Sequence, residues 1–251
     1  MDICVIGDSH AVALKDAYPA MEGEFPGCGV TFFAGYGDRL KALTVTDGKL
    51  TANSPDLLRL FKLTSGGEAS IEPRYDAYLL VGVGFRLFRA ARLCQSEIEK
   101  RLNAGADPKI ADDELVCLIH KEFTLTIGNA VMAKLRQVTD APAYFVATPY
   151  PGLTVDREIW RWLKRRIPLD RLESAYNAAC EKLCAAQDVR FLPQPDETIA
   201  RNGVTTREKY TRGATAVVER VSDDRHMNAE FGAIVLRAAL RAIIAPQKLE
   251  N

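Results

Sequence analysis

The chain has 251 residues, 47% of them hydrophobic, enough for one large α/β domain with a substantial core. Lys plus Arg and Asp plus Glu stand at 33 each, so no global field draws the protein to nucleic acid or an anionic membrane, and a binder of polyanions would need a local patch. No run approaches the ~20 apolar residues of a membrane span, and the first strand starts so early that no signal peptide fits before it, so a complete natural chain of this kind is expected in the cytoplasm.

Ile3-Cys4-Val5-Ile6 is a short β-branched run closed by Gly7, which predicts a buried strand ending in a tight turn. Ser9, in Gly7-Asp8-Ser9-His10, therefore stands at the carboxyl end of a strand, where open α/β sheets place their ligands. A short helix over 10–20 ends near Pro19, and a second strand over 30–34 is closed by Gly35-Tyr36-Gly37. Residues 45–50 read as a small hairpin turning at Asp47-Gly48, followed by a helix over 54–64. The clearest central strand spans 76–83 and runs into Gly84, with a helix over 86–102 behind it.

Residues 112–139 read as one long, partly irregular helix bent at Gly128. A strand over 143–148 ends in Pro149-Tyr150-Pro151-Gly152, and helices over 156–167 and 169–187 form a helical excursion around 154–187. A short last strand spans 189–192, residues 196–222 are mostly loop, and a final helix spans 228–244 with Asn228 as its N-cap. Strands separated by helices favour a single three-layer α/β/α domain over 1–251, with about five parallel strands and helices on both faces.

The six cysteines, Cys4, Cys28, Cys94, Cys117, Cys180 and Cys184, are scattered and read as buried free thiols of a reducing compartment. Cys180 and Cys184 share a helix at a spacing that suits a metal, but the histidines show no ligand spacing to complete a site, so neither metal nor cofactor is expected.

A serine hydroxyl is a poor nucleophile until a neighbouring base takes its proton. The candidate base lies at the far end of the chain, in Asp223-Asp224-Arg225-His226 just before the last helix. Asp223, three residues before His226, suits the acid that orients an imidazole, with Asp224 as the rival. Backbone N–H groups where Ser9 opens a helix would serve an oxyanion.

Together these two blocks resemble those of the SGNH (GDSL-type) hydrolases. The resemblance implies a flavodoxin-like fold and a Ser9–His226–Asp223 triad. It also implies an oxyanion hole built from the Ser9 N–H, a glycine after the second strand (Gly37, or alternatively Gly35) and an asparagine after the third. The last is missing: Gly84-Phe85-Arg86-Leu87 stands where Gly-x-Asn-Asp is expected. Arg86 either replaces the amide with a guanidinium, beside Gly84, or points to solvent or an acid on the next helix.

His10 is too close in sequence to Ser9 to be its base, and either touches substrate or packs the helix start. Trp160 and Trp162, among the basic residues of 157–166, belong either to an ordinary amphipathic surface helix or to a lid that stacks on a sugar or acyl group. The function expected is an esterase that removes a small acyl group, such as acetyl, from a carbohydrate or similar alcohol. The alternatives are an acyltransferase acting on a sugar and a catalytically weakened module that binds a glycan or protein partner. The substrate is a small molecule or glycan ester, with neither nucleic acid nor a membrane span as partner.

Overall fold

A computed structural model describes residues 1–212, 223 and 225–247. In chain order the strands are β1 (Asp2–Gly7), β2 (Gly29–Ala34), β3 (Leu43–Thr46), β4 (Lys49–Ala52), β5 (Ser70–Ile71), β6 (Ala77–Gly82), β7 (Ala143–Ala147) and β8 (Arg190–Leu192). The α-helices are α1 (Ala11–Ala17), α2 (Pro55–Ser65), α3 (Leu87–Asn103), α4 (Asp112–Phe123), α5 (Ile127–Arg136), α6 (Arg157–Lys164), α7 (Leu169–Ala185) and α8 (Ala229–Gln247).

Five strands form one parallel sheet in the order β2-β1-β6-β7-β8, the flavodoxin-like order, whose direction of winding reverses between β1 and β6. Strand alternation sends Ile3 and Val5 to one face and Cys4 and Ile6 to the other. The first face is covered by α1 and α8, and the second by α2, α3, α4, α5 and α7, giving three layers. Cys4, Cys94, Cys180 and Cys184 are buried, and burial pushes the Cys184 thiol up to about 12. Cys117, expected inside, is exposed on α4.

Three local readings change. The hairpin at Asp47-Gly48, where both residues have positive φ, gains β5 as a third antiparallel strand. The single helix expected over 112–139 is two, α4 and α5, bent by 71° at residues 124–126. Gly128 is not the bend. It donates its N–H to the Val83 carbonyl at 2.8 Å, and a Cβ there would stand 2.9 Å from that oxygen, so the glycine permits close approach of α5 to the turn after β6. Finally, α7 is a core helix between β7 and β8, so the excursion narrows to α6 and the segments flanking it.

Among the described residues no single helix is long and apolar enough to cross a membrane; α4 and α5 reach that length and composition only as a bent pair.

Candidate active site

Two turns at the reversal point of the sheet build the floor of the site. After β1, the buried Asp8 turns its carboxylate towards β6, accepting the Val83 N–H at 3.0 Å with one oxygen and the His10 N–H at 3.0 Å with the other. A Cβ on Gly82 would overlap that carboxylate, and one on Gly7 would stand 2.7 Å from the Ala11 Cβ. Both glycines are thus steric requirements of the turn pair. Gly82, Val83 and Gly84 all have positive φ, at 79°, 47° and 97°. For the β-branched Val83 this conformation costs about 1–2 kcal/mol, offset by its bond to Asp8 and by burial.

Ser9 follows Asp8, and the packing of α8 against α1 brings His226 to it across 217 residues of sequence. A Cβ on Gly232 would overlap the Ala13 carbonyl oxygen, so the two helices cross in backbone contact. Asn228 caps α8 by accepting the Phe231 N–H at 3.1 Å, which sets where the helix starts and where His226 leaves it. The Ser9 Oγ lies 2.9 Å from His226 Nε2. On the other side of the ring, Nδ1 is 3.0 and 2.9 Å from the two oxygens of Asp223, one of which also accepts the His226 N–H at 3.1 Å.

Partial burial alone would raise the Asp223 carboxyl, but the hydrogen bonds and charge of His226 outweigh it and hold the group below its ordinary value. An ionised Asp223 fixes the tautomer that leaves Nε2 free to accept the serine proton. Asp224, the rival acid, lies outside the described residues.

Ser9 opens into a hollow of about 320 Å³. Its walls include His10, Arg86, Phe88, Thr148, Val155 and Arg225. The wall beyond β7 is pinned from several sides. The Thr148 N–H donates to the Phe85 carbonyl at 3.0 Å, Tyr176 donates its hydroxyl to the same oxygen at 3.0 Å, and the Tyr150 N–H donates to Gln194 Oε1 at 2.7 Å. His10 stands at the start of α1 with its ring centroid 5.2 Å from that of His226. It is only 8% exposed, and burial, with smaller effects from His226 and Arg86, lowers its pKa against the pull of Asp8. Two buried polar atoms of this wall, His10 Nδ1 and Thr148 Oγ1, have no hydrogen-bond partner among the described residues.

The donors named for the oxyanion divide between two hollows. Ser9 and Arg86 line the first; Gly37 and Gly84 line an adjoining hollow of about 490 Å³, of which Arg86 is again a wall. The N–H groups of Ser9, Gly37 and Gly84 have no bonded partner among the described residues, whereas the Gly35 N–H is taken by the Gly7 carbonyl at 2.9 Å. That removes Gly35 as the alternative. Arg86 is exposed at the start of α3, where its carbonyl accepts the Arg89 and Ala90 N–H groups while its guanidinium has no hydrogen bond or ion pair among the described residues; its neighbour Arg89 pairs with Glu122 of α4.

The tryptophans are not walls of the Ser9 hollow. Trp160 is 6% exposed, packed edge-on to Phe88 within the core, so it has no free face on which to stack a sugar. Trp162 lines a third hollow, and the Arg166 guanidinium covers its ring at 3.9 Å. The aromatic group that does face Ser9 is Phe88, hidden in sequence as one apolar residue of a helix among many. Thr148 had a better signal, since it ends a strand at the sheet's carboxyl edge.

No family model, curated protein or solved structure matches this chain.

Proposed function

We propose that the protein is a serine-dependent ester hydrolase of the SGNH kind. The observation that carries this reading is the unbroken series from Ser9 Oγ through His226 to the Asp223 carboxylate, each link between 2.9 and 3.0 Å. In the first step the Ser9 oxygen forms a bond to the ester carbonyl carbon as its proton passes to His226 Nε2. The C–O bond to the alcohol then breaks, and the departing oxygen takes that proton back from His226. Water repeats the sequence on the acyl-serine, releasing the acid and restoring the Ser9 hydroxyl.

During each attack the carbonyl oxygen becomes an oxyanion. The N–H groups of Ser9, beside the hydroxyl, and of Gly37 and Gly84, on the adjoining hollow, are unspent among the described residues and are its main-chain donors; Arg86 stands where the family pattern has its asparagine, at the border of the two hollows. The hollow of about 320 Å³ has room for a short acyl group such as acetyl together with part of its alcohol. The carbohydrate alcohol rests on the family resemblance alone.

The test is turnover of a short-chain aryl ester by the wild type and by Ser9→Ala and His226→Ala, with fluorophosphonate labelling read by intact mass. Labelling at Ser9 and loss of turnover in both variants is expected. Full activity in either variant refutes the reading.

A further inference from the structure

We infer that the ester bound beside Ser9 carries a negative charge on its alcohol part, as a carboxylate or phosphate group, and that Arg86 receives it. This rests on the hydrolase reading above and adds the substrate class to it.

The inference begins with where a neutral chain has put its charges. Three hollows adjoin at the carboxyl end of the sheet: Arg86 and Phe88 line both the first and second, Asp156 the first and third, and Arg92 the second and third. Their walls carry eight Lys or Arg side chains against four Asp or Glu, although the whole chain balances at 33 of each. This is the local patch that the overall charge left undecided.

The pairing sharpens the imbalance. Every acid on these walls is engaged within the chain: Asp8 by two backbone N–H groups, Asp38 by Lys41, Asp156 by Arg92 and Glu158 by Arg161. The cations are not all engaged. Arg86, Arg157, Arg165 and Arg225 have no ion pair among the described residues. Arg86 is the one shared by the Ser9 hollow and its neighbour, and Arg225 stands across the Ser9 hollow beside His226.

A guanidinium with its fork unspent, next to a nucleophile, matches the planar oxygens of a carboxylate or phosphate. Phe88, Pro151 and Val155 leave an apolar stretch sufficient for a short acyl group.

Three acetates of the same phenol skeleton test this: 4-acetoxybenzoate, 4-acetoxyphenyl phosphate and the neutral methyl 4-acetoxybenzoate. The readout is the kcat/KM of each anionic ester divided by that of the neutral one, compared between wild type and variants so that leaving-group reactivity cancels. Arg86→Gln is expected to lower at least one ratio about tenfold, the usual worth of a charged hydrogen bond, with Arg86→Lys between the two. Arg225→Gln is expected to lower it less, and about 1 M salt, with a screening length of ~3 Å, to lower the wild-type ratio.

Which ratio falls separates a carboxylate from a phosphate site. An equal loss on all three esters in Arg86→Gln overturns the proposal, because it places Arg86 at the oxyanion alone, while the hydrolase reading stands. If no ester is turned over in a Ser9-dependent way, the hydrolase reading fails. The charge preference is then read by calorimetry of 4-hydroxybenzoate, 4-hydroxyphenyl phosphate and methyl 4-hydroxybenzoate binding to Ser9→Ala, with and without Arg86→Gln. Binding indifferent to ligand charge or to Arg86 overturns it there too.

Discussion

The two sides of the Ser9 turn are built to opposite rules. On the side of α8, the hydroxyl, imidazole and carboxylate are bonded to one another. On the side of β6 and α3, the N–H groups of Gly37 and Gly84 and the guanidinium of Arg86 are unspent among the described residues. On the hydrolase reading proposed above this division is what the chemistry requires: a proton chain works only if its links are in place before substrate arrives, whereas donors for an incoming negative charge must be left open. Asp8 divides the two sides, its carboxylate spent on the backbone of both turns.

The bonded side is the easier to break. Removing Ser9 or His226 should cost ~10⁴-fold or more in kcat, with the fold intact by circular dichroism. Asp223→Asn should cost ~10²–10⁴-fold, because an amide donating to Nδ1 selects the wrong tautomer, and the loss should persist across the pH profile. Comparable activity in Asp223→Asn would assign the orienting role elsewhere.

The divide between the sides should register as stability. Asp8→Ala orphans two N–H groups in a buried turn, about 2–4 kcal/mol, and should lower Tm by about 4–16 °C. Asp38→Ala, an exposed acid on the open side, should stay within about 0.5 kcal/mol of wild type, and so within ~2 °C. Equal shifts in the two variants would deny Asp8 its role as the latch between the turns. Gly232→Val should be as damaging as Asp8→Ala, since it forces apart the helices that deliver His226 to Ser9.

The smallest expected effect is a pH dependence at His10. Burial lowers its pKa in the folded state, so the folded protein binds a proton there less readily than the unfolded chain. Its neutral form is fully accommodated above the unfolded value of about 6.5, and stability falls as pH drops below it towards the lowered folded value. His10→Gln should flatten that part of the Tm profile. The Asp223 carboxyl, also lowered, acts further down: its contribution is whole above about 4 and lost as pH falls through the folded value. A Tm profile of His10→Gln superimposable on wild type between pH 4 and 7 would sink the His10 assignment.

Much of this architecture was legible from local pattern. The β-branched runs, the glycines that close them and the Asn228 cap act within a few residues, so strand and helix positions and the order α/β/α follow from neighbours in sequence. The three-residue step from Asp223 to His226 is local too, and it is realised as a hydrogen-bonded pair. Trp160 was misleading because a tryptophan among basic residues reads alike whether its ring faces a ligand or sinks into the core. Gly128 was misleading because a glycine in a helix reads alike whether it bends the chain or admits a neighbour.

What the amino-acid order determined alone is therefore the list of parts: a serine after the first strand, an aspartate and a histidine before the last helix, and a neutral total charge. Tertiary structure decided how they meet. Only the crossing of α1 and α8 puts His226 on Ser9, only the β1–β6 contact gives Asp8 the Val83 N–H beside its local bond to His10, and only the meeting of three hollows gathers at one edge arginines that have no ion pair among the described residues. The physical reason is range: propensity and capping act over a turn or two, while charge imbalance, burial and steric contact at a site depend on residues 75 or 217 positions apart.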